Sequence, residues 1–146
     1  MSETLGSLCD KLSIIKLKQY HTKDPEKLGS LSEQEEQLCN EIDEFVYRAS
    51  VGEIPLEKMV FSANKVFKKE GNEILQVTGK IGNIFSELAK VNCNLWHEQE
   101  KVYEFEKVPA DEKDVVVKGL AILNLQRNQC INEIDKCFQR LIASKH

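Results

Sequence analysis

The feature that most restricts what this chain can become is an order of segments that occurs twice. Leu5-Gly6-Ser7-Leu8-Cys9-Asp10-Lys11-Leu12, running on to Tyr20-His21, is matched by Ile81-Gly82-Asn83-Ile84-Phe85-Ser86-Glu87-Leu88, running on to Trp96-His97, at an offset of 76 residues. Asn40-Glu41-Ile42-Asp43 is matched by Asn132-Glu133-Ile134-Asp135 at an offset of 92. The order A, B, A′, B′ implies an internal duplication whose two units pack against each other.

The period inside each unit is helical. Leu5, Leu8, Leu12, Ile15 and Gln19 recur at three and four residues, widened by Cys9, Ser13, Leu17 and Tyr20, so the first helix is expected to be buried over a broad arc from a cap at Ser2. Thr22 to Gly29, with Pro25, reads as a turn. Ser32-Glu33-Gln34-Glu35 reads as a capping box that opens a second helix through Leu38, Ile42, Phe45, Val46 and Ala49, with Gly52 as C-terminal cap and Pro55 as stop. A third helix is expected from Asn72 or Thr78 to about Glu106, and a fourth from a cap at Asp111 to a basic end at Lys145. Leu56, Met59, Val60, Ala63, Val66 and Phe67 predict a short amphipathic helix between the units.

The expected fold is therefore all-α, a four-helix bundle made from two tandem helical hairpins with a short connecting helix. With 146 residues, 41% of them hydrophobic, the chain is long enough for one core and short for two. We read one domain over 1–146, with repeat one at 2–52, the connecting helix at 53–71 and repeat two at 72–146. The larger second offset gives the second hairpin 16 more residues between matched segments, eight per arm if the turns are equal. Eight helical residues rise about 12 Å. The second hairpin should overhang the first, exposing Val102, Tyr103, Phe105, Val108, Val115 and Val116 unless the connecting helix or a second subunit covers them.

Charge and composition narrow the function. A formal charge of −4 speaks against nucleic acid as a partner. No stretch approaches the roughly 20 apolar residues of a membrane span, and no basic-then-apolar leader stands at the start, so a cytoplasmic location without membrane insertion is expected. The five cysteines form no Cys-x-x-Cys pair, and Cys9, Cys39, Cys93 and Cys130 align with Phe85, Ile131, Leu17 and Leu38. They read as small buried hydrophobes rather than disulfides or metal ligands.

The polar residues shared by the two units are the candidates for chemistry: His21 with His97, Asn40 with Asn132, Glu41 with Glu133, and Asp43 with Asp135. Histidine and carboxylate facing one another across helices are how bundles hold metal ions, and His97 and Glu100 are spaced i and i+3. The di-metal bundles, however, use Glu-x-x-His, and Asp24 stands in a turn where the first unit would need its carboxylate. Glu33-x-x-Glu36 and Glu41-x-x-Glu44 have the spacing of magnesium-binding pyrophosphatase helices, but Lys136 replaces Glu44 in the second unit. No Walker loop, Gly-x-Ser-x-Gly or dinucleotide fingerprint occurs, so no catalytic residue and no cofactor is assigned. Trp96 and Tyr103 place an aromatic strip on one helix, while Arg127 and Asn128 with Asp10 and Lys11 offer a polar mouth for an anionic or hydrogen-bonding ligand.

Gly6-Ser7-Leu8-Cys9-Asp10-Lys11-Leu12-Ser13-Ile14, together with Leu123 to Asn128 and Glu133-Ile134-Asp135, resembles a small family of uncharacterised bacterial all-helical proteins, a domain of unknown function marked by Gly-x-Leu-x-Asp-Lys-Leu-Ser-Ile. The resemblance implies an accessory role linked to surface-polysaccharide or sugar metabolism, with Asp10, Lys11, His21, Arg127, Asn128, Glu133 and Asp135 as the positions to watch. It supplies no reaction. The second unit departs from the motif with Ser86-Glu87 where Asp10-Lys11 would recur. The expected function is a non-enzymatic binding or assembly module, a homo-oligomer or the holder of a protein partner. The alternative is a metal- or small-ligand-binding protein or enzyme, linked to sugar or nucleotide metabolism, whose site lies between the units and draws on His21, His97, Asp10, Lys11, Trp96, Arg127, Asn128, Glu133 and Asp135.

Overall fold

The first two helices begin where a local side chain can take up a free N–H group of the first turn. Helix α1 spans Leu5–His21; the Thr4 hydroxyl accepts from the Ser7 N–H, and the Thr4 N–H donates to Ser7 Oγ. Helix α2 spans Pro25–Ser50, with Asp24 accepting from the Glu26 N–H and Pro25 pre-set for the first helical position. Helices α3 and α4 span Ile81–Tyr103 and Lys113–Ala143, and single 3-10 turns occupy Leu56–Lys58 and Phe105–Lys107. The computed structural model describes residues 3–61 and 79–145. Among the described residues there is no strand, and the fold is an all-α four-helix bundle.

Several element boundaries differ from those read in the sequence. Thr4, not Ser2, caps α1; Ser2 lies outside the described residues. The turn expected over Thr22 to Gly29 is confined to Thr22–Asp24, and the Ser32 capping box falls inside α2 with Ser32 exposed. Pro25 explains the difference: the Asp24-Pro25 pair is itself a helix start, so the chain had no need to wait for the next Ser-x-x-Glu. Glu112 rather than Asp111 stands at the start of α4, without a side-chain cap. Helix α3 starts at Ile81 after Lys80, while Asn72 and Thr78 lie outside the described residues, as do residues 62–71 of the expected connecting helix.

Gly52 ends α2 as its position suggests. Its φ of 83° lies in the left-handed region, which lets the Glu53 N–H reach the Arg48 carbonyl at 2.9 Å and the Gly52 N–H reach that of Ala49 at 3.2 Å. The chain then turns back over the bundle end. Ile54 and Met59 enter the core, and Gln139 Nε2 donates to the Leu56 carbonyl at 2.8 Å.

Side-chain contacts fix the helix directions. Gly6 and Asp10 of α1 meet Asp135 and Arg127 of α4, so these two helices are antiparallel. Asp10 meets Asn92, and His21 meets Trp96, so α1 and α3 are parallel. Lys16 pairs with Glu35 while Leu8 lies beside Phe45, which makes α2 antiparallel to α1. Helix α1 thus touches all of its neighbours, whereas α2 packs principally on α1 and reaches α4 through the Phe45 and Phe138 rings, 6.0 Å apart. This asymmetry decides the cysteines: Cys9 and Cys130 are buried, Cys137 is half-buried, and Cys39 and Cys93 are exposed, a correction to the all-buried reading. A helix with one main partner buries only a narrow stripe, and Cys39 falls off it.

His21, the last residue of α1, is level with Trp96, so α3 runs on to Tyr103 past the end of the first hairpin. Seven residues rise about 10 Å. On this overhang Tyr103 is 78% and Val115 69% exposed, while Val116 is buried and Lys113 lies over the Phe105 ring. The described part of the connecting segment covers the opposite end of the bundle, not the overhang.

Candidate functional site

Polar side chains enter the bundle between α1, α3 and α4 at three levels. At the lowest, Asp135 is fully buried against the first turn of α1, where its Oδ1 accepts from the Gly6 N–H at 2.7 Å. Only glycine allows this approach: a Cβ at position 6 would lie 2.5 Å from the Ile131 carbonyl oxygen and 2.9 Å from Asp135 Oδ1. Burial pushes the Asp135 carboxyl up to about 6, although the Gly6 N–H and the Thr4 hydroxyl favour its charge. Burial, with Asp135 and Asp10 adding their charge, likewise pushes the Cys9 thiol up to about 12, so this cysteine is held as an unreactive thiol.

One to two turns higher, Asp10 and Asn92 face each other inside the bundle. Asn92 Nδ2 donates to Asp10 Oδ1 at 3.0 Å and lies 3.4 Å from Ser13 Oγ, while Arg127 Nε approaches the same carboxylate oxygen at 3.5 Å. Each of the three helices contributes one member, so the group fixes their relative height. Removing one member leaves the others underbonded: Asn92→Leu is expected to cost about 1–3 kcal/mol, read from the urea midpoint.

At the top the rings gather. His21 stacks on Trp96 with centroids 4.7 Å apart and planes within 9°, and His97 stands edge-on to His21 at 6.4 Å. Trp96 Nε1 donates to Glu100 Oε1 at 2.9 Å, which occupies the carboxylate that the His-x-x-Glu spacing would offer to a metal. His21 and His97 are both exposed.

The residues singled out in the sequence therefore do not share one cavity. Asp10, Arg127 and Asp135 lie along the α1–α4 contact; His21, Trp96 and His97 form the upper ring cluster; Lys11 is exposed and pairs with Glu3. Asn128 is half-buried, and Glu133 pairs with Lys136 at 3.5 Å on α4. Glu41 is exposed beside Lys11 and Ile14, about two turns of α1 below His21, so it does not join the histidines. Glu33, Glu36 and Glu44 are exposed too. Among the described residues no three or more His, Cys, Asp or Glu side chains are grouped to hold a metal ion.

Three participants were not singled out as site residues: Thr4, Gly6 and Asn92. Asn92 carried a usable signal, because it interrupts the apolar stripe of Ile84, Leu88, Val91 and Leu95. Gly6 carried its recurrence as Gly82 and Thr4 its position as a helix cap, but their part in holding Asp135 arises only from the approach of α4.

With this geometry in place, the chain can be set beside known proteins. No protein-family model, curated protein or solved structure matches it. Among the described residues no helix is long and apolar enough to cross a membrane.

Proposed function

We propose that this protein is a non-enzymatic cytoplasmic assembly module that self-associates through helical surfaces. One observation supports it above the rest. Because α2 leans on α1 and leaves α3, an apolar groove stands open among the described residues between α2 and α3, with Ile42 and Phe85 as its walls and Leu5, Cys9 and Ile134 at its base. A groove of this kind suits the apolar face of a helix. Every copy carries both the groove and the protruding α3–α4 hairpin with exposed Tyr103, Val115 and Val117, so a second copy is the occupant to which we commit.

Sedimentation across the micromolar range tests this. Association of the wild type, lost in Phe85→Glu while the variant, destabilised because Phe85 also packs on the core, keeps its helical content, is the expected result. Loss in Val117→Glu instead would move the contact to the overhang, and a wild-type protein that stays monomeric throughout would end the self-assembly reading.

A second reading has one observation in its favour, the gathering of His21, Trp96 and His97. A metal ion or a flat small ligand is the candidate occupant there. Stoichiometric metal in protein prepared without chelator, lost in His21→Ala with His97→Ala, would support it. A sugar-related accessory role rests on the resemblance carried by Gly6 to Ile14, Leu123 to Asn128 and Glu133 to Asp135 alone.

A further inference from the structure

We propose that Asp135 is a proton-operated latch: the first turns of α1 are held firmly against α4 when its carboxyl group is protonated, and loosen when it ionises. The geometry is that of a carboxylate with too few donors. The side chain is fully buried, Oδ1 takes the Gly6 N–H, the Thr4 hydroxyl adds a second favourable dipole, and Oδ2 has no hydrogen bond of good geometry. An ionised carboxylate can accept about four bonds, and one left short of them in an apolar setting loses far more solvation than its neutral form.

Leu5, Ile131, Ile134 and Phe138, close to Gly6 and Asp135 along α1 and α4, belong to the buried core cluster, and the close Gly6–Ile131 approach leaves no space there even for a methyl group. The positive end of α1 favours the charge. No charged neighbour does: burial is the main influence on Asp135, opposed only by Gly6 and Thr4. Of the titratable groups on the packed elements, Cys9 of α1 feels the Asp135 charge directly, Glu87 of α3 and Asp10 of α1 act on Cys130 of α4, and Glu133 pairs with Lys136 on α4. Asp10 is committed to Asn92 and Arg127, and Glu3 to Lys11. From α2, Glu41 and Glu44 lie on the outer groove with Arg48.

The sign follows from linkage. A carboxyl held near 6 in the fold and near 3.8 when unfolded binds more protons in the fold between those values. Its contribution to stability is complete below the lower value and is lost as pH rises through the upper one. Mild acid therefore tightens the latch. The same turns of α1 supply Leu5 and Cys9 to the apolar groove, but the test does not depend on what the groove binds.

The experiment has two arms. Carboxyl carbon resonances of the wild type should show Asp135 titrating near pH 6, with amide exchange at Gly6 to Leu8, corrected for its intrinsic rate, several-fold faster at pH 7 than at pH 5. Asp135→Asn keeps an acceptor for the Gly6 N–H and carries no charge; its unfolding midpoint relative to the wild type should rise from pH 5 to pH 7. A titration below pH 4.5, or a midpoint difference that stays constant with pH, would overturn the proposal. If Asp135→Asn fails to fold, the wild-type titration and exchange decide it alone.

Discussion

Truncating Ile134 to alanine is expected to lower the unfolding free energy by roughly 2–5 kcal/mol, with a midpoint fall of about 10 °C, because it opens a void where helices cannot close in. Ile134 is fully buried in the core cluster, which also holds Cys130, Phe138 and Ile142 of α4, Leu5 and Cys9 of α1, and Ile84 and Leu88 of α3. Helix α4 cannot move towards α1 to fill the space, since Gly6 already brings the two backbones to their limit. Chemical denaturation provides the measurement, with Leu141→Ala as control. Leu141 is 52% exposed, so its truncation should cost less than about 1 kcal/mol. Equal effects at the two positions would mean that the α4 face pointing at α1 is not the one described.

Gly6→Ala should also destabilise the fold, against the direction of helix propensity. On an isolated helix the change gains about 1 kcal/mol. Here the new Cβ would meet the backbone carbonyl of Ile131 at 2.5 Å, which no rotamer change relieves, and would press on the oxygen that takes the Gly6 N–H. Separation of α1 from α4 is the remaining response, at a net cost of about 2 kcal/mol. Gly29→Ala is the matched comparison: nothing lies within 4 Å of its Cβ position in α2, so it should be neutral or stabilising. A stable Gly6→Ala protein with unchanged Asp135 titration would show that α1 and α4 have room to separate freely.

The four helices were legible because each carries its apolar stripe in the local order of residues. Ile84, Leu88 and Val91 on α3, and Ile134, Phe138 and Ile142 on α4, recur at helical spacing in the chain and are buried in the bundle, whereas Leu141, beside Ile142, is exposed. The overhang was legible too, as the difference between two offsets. Starts were less so, because Asp24-Pro25 and Ser32-x-x-Glu35 are both valid starts and only one can be first.

The site was legible in parts. His21 and His97 match in sequence and stand 6.4 Å apart, yet Asp43 and Asp135 match as well, and one is exposed while the other is buried. Matching positions acquire different surroundings when one hairpin supplies α1, touched from three sides, and α2, packed chiefly on one neighbour.

Local order alone determined the all-α class, the apolar stripes and the glycine that ends α2, because each depends on residues within a few turns of one another. Tertiary structure decided which polar groups became buried, which cysteines stayed exposed, and that Gly6 and Asp135 would meet. Those outcomes depend on how far apart the helix axes lie, a distance set jointly by residues 129 positions apart and invisible from either one.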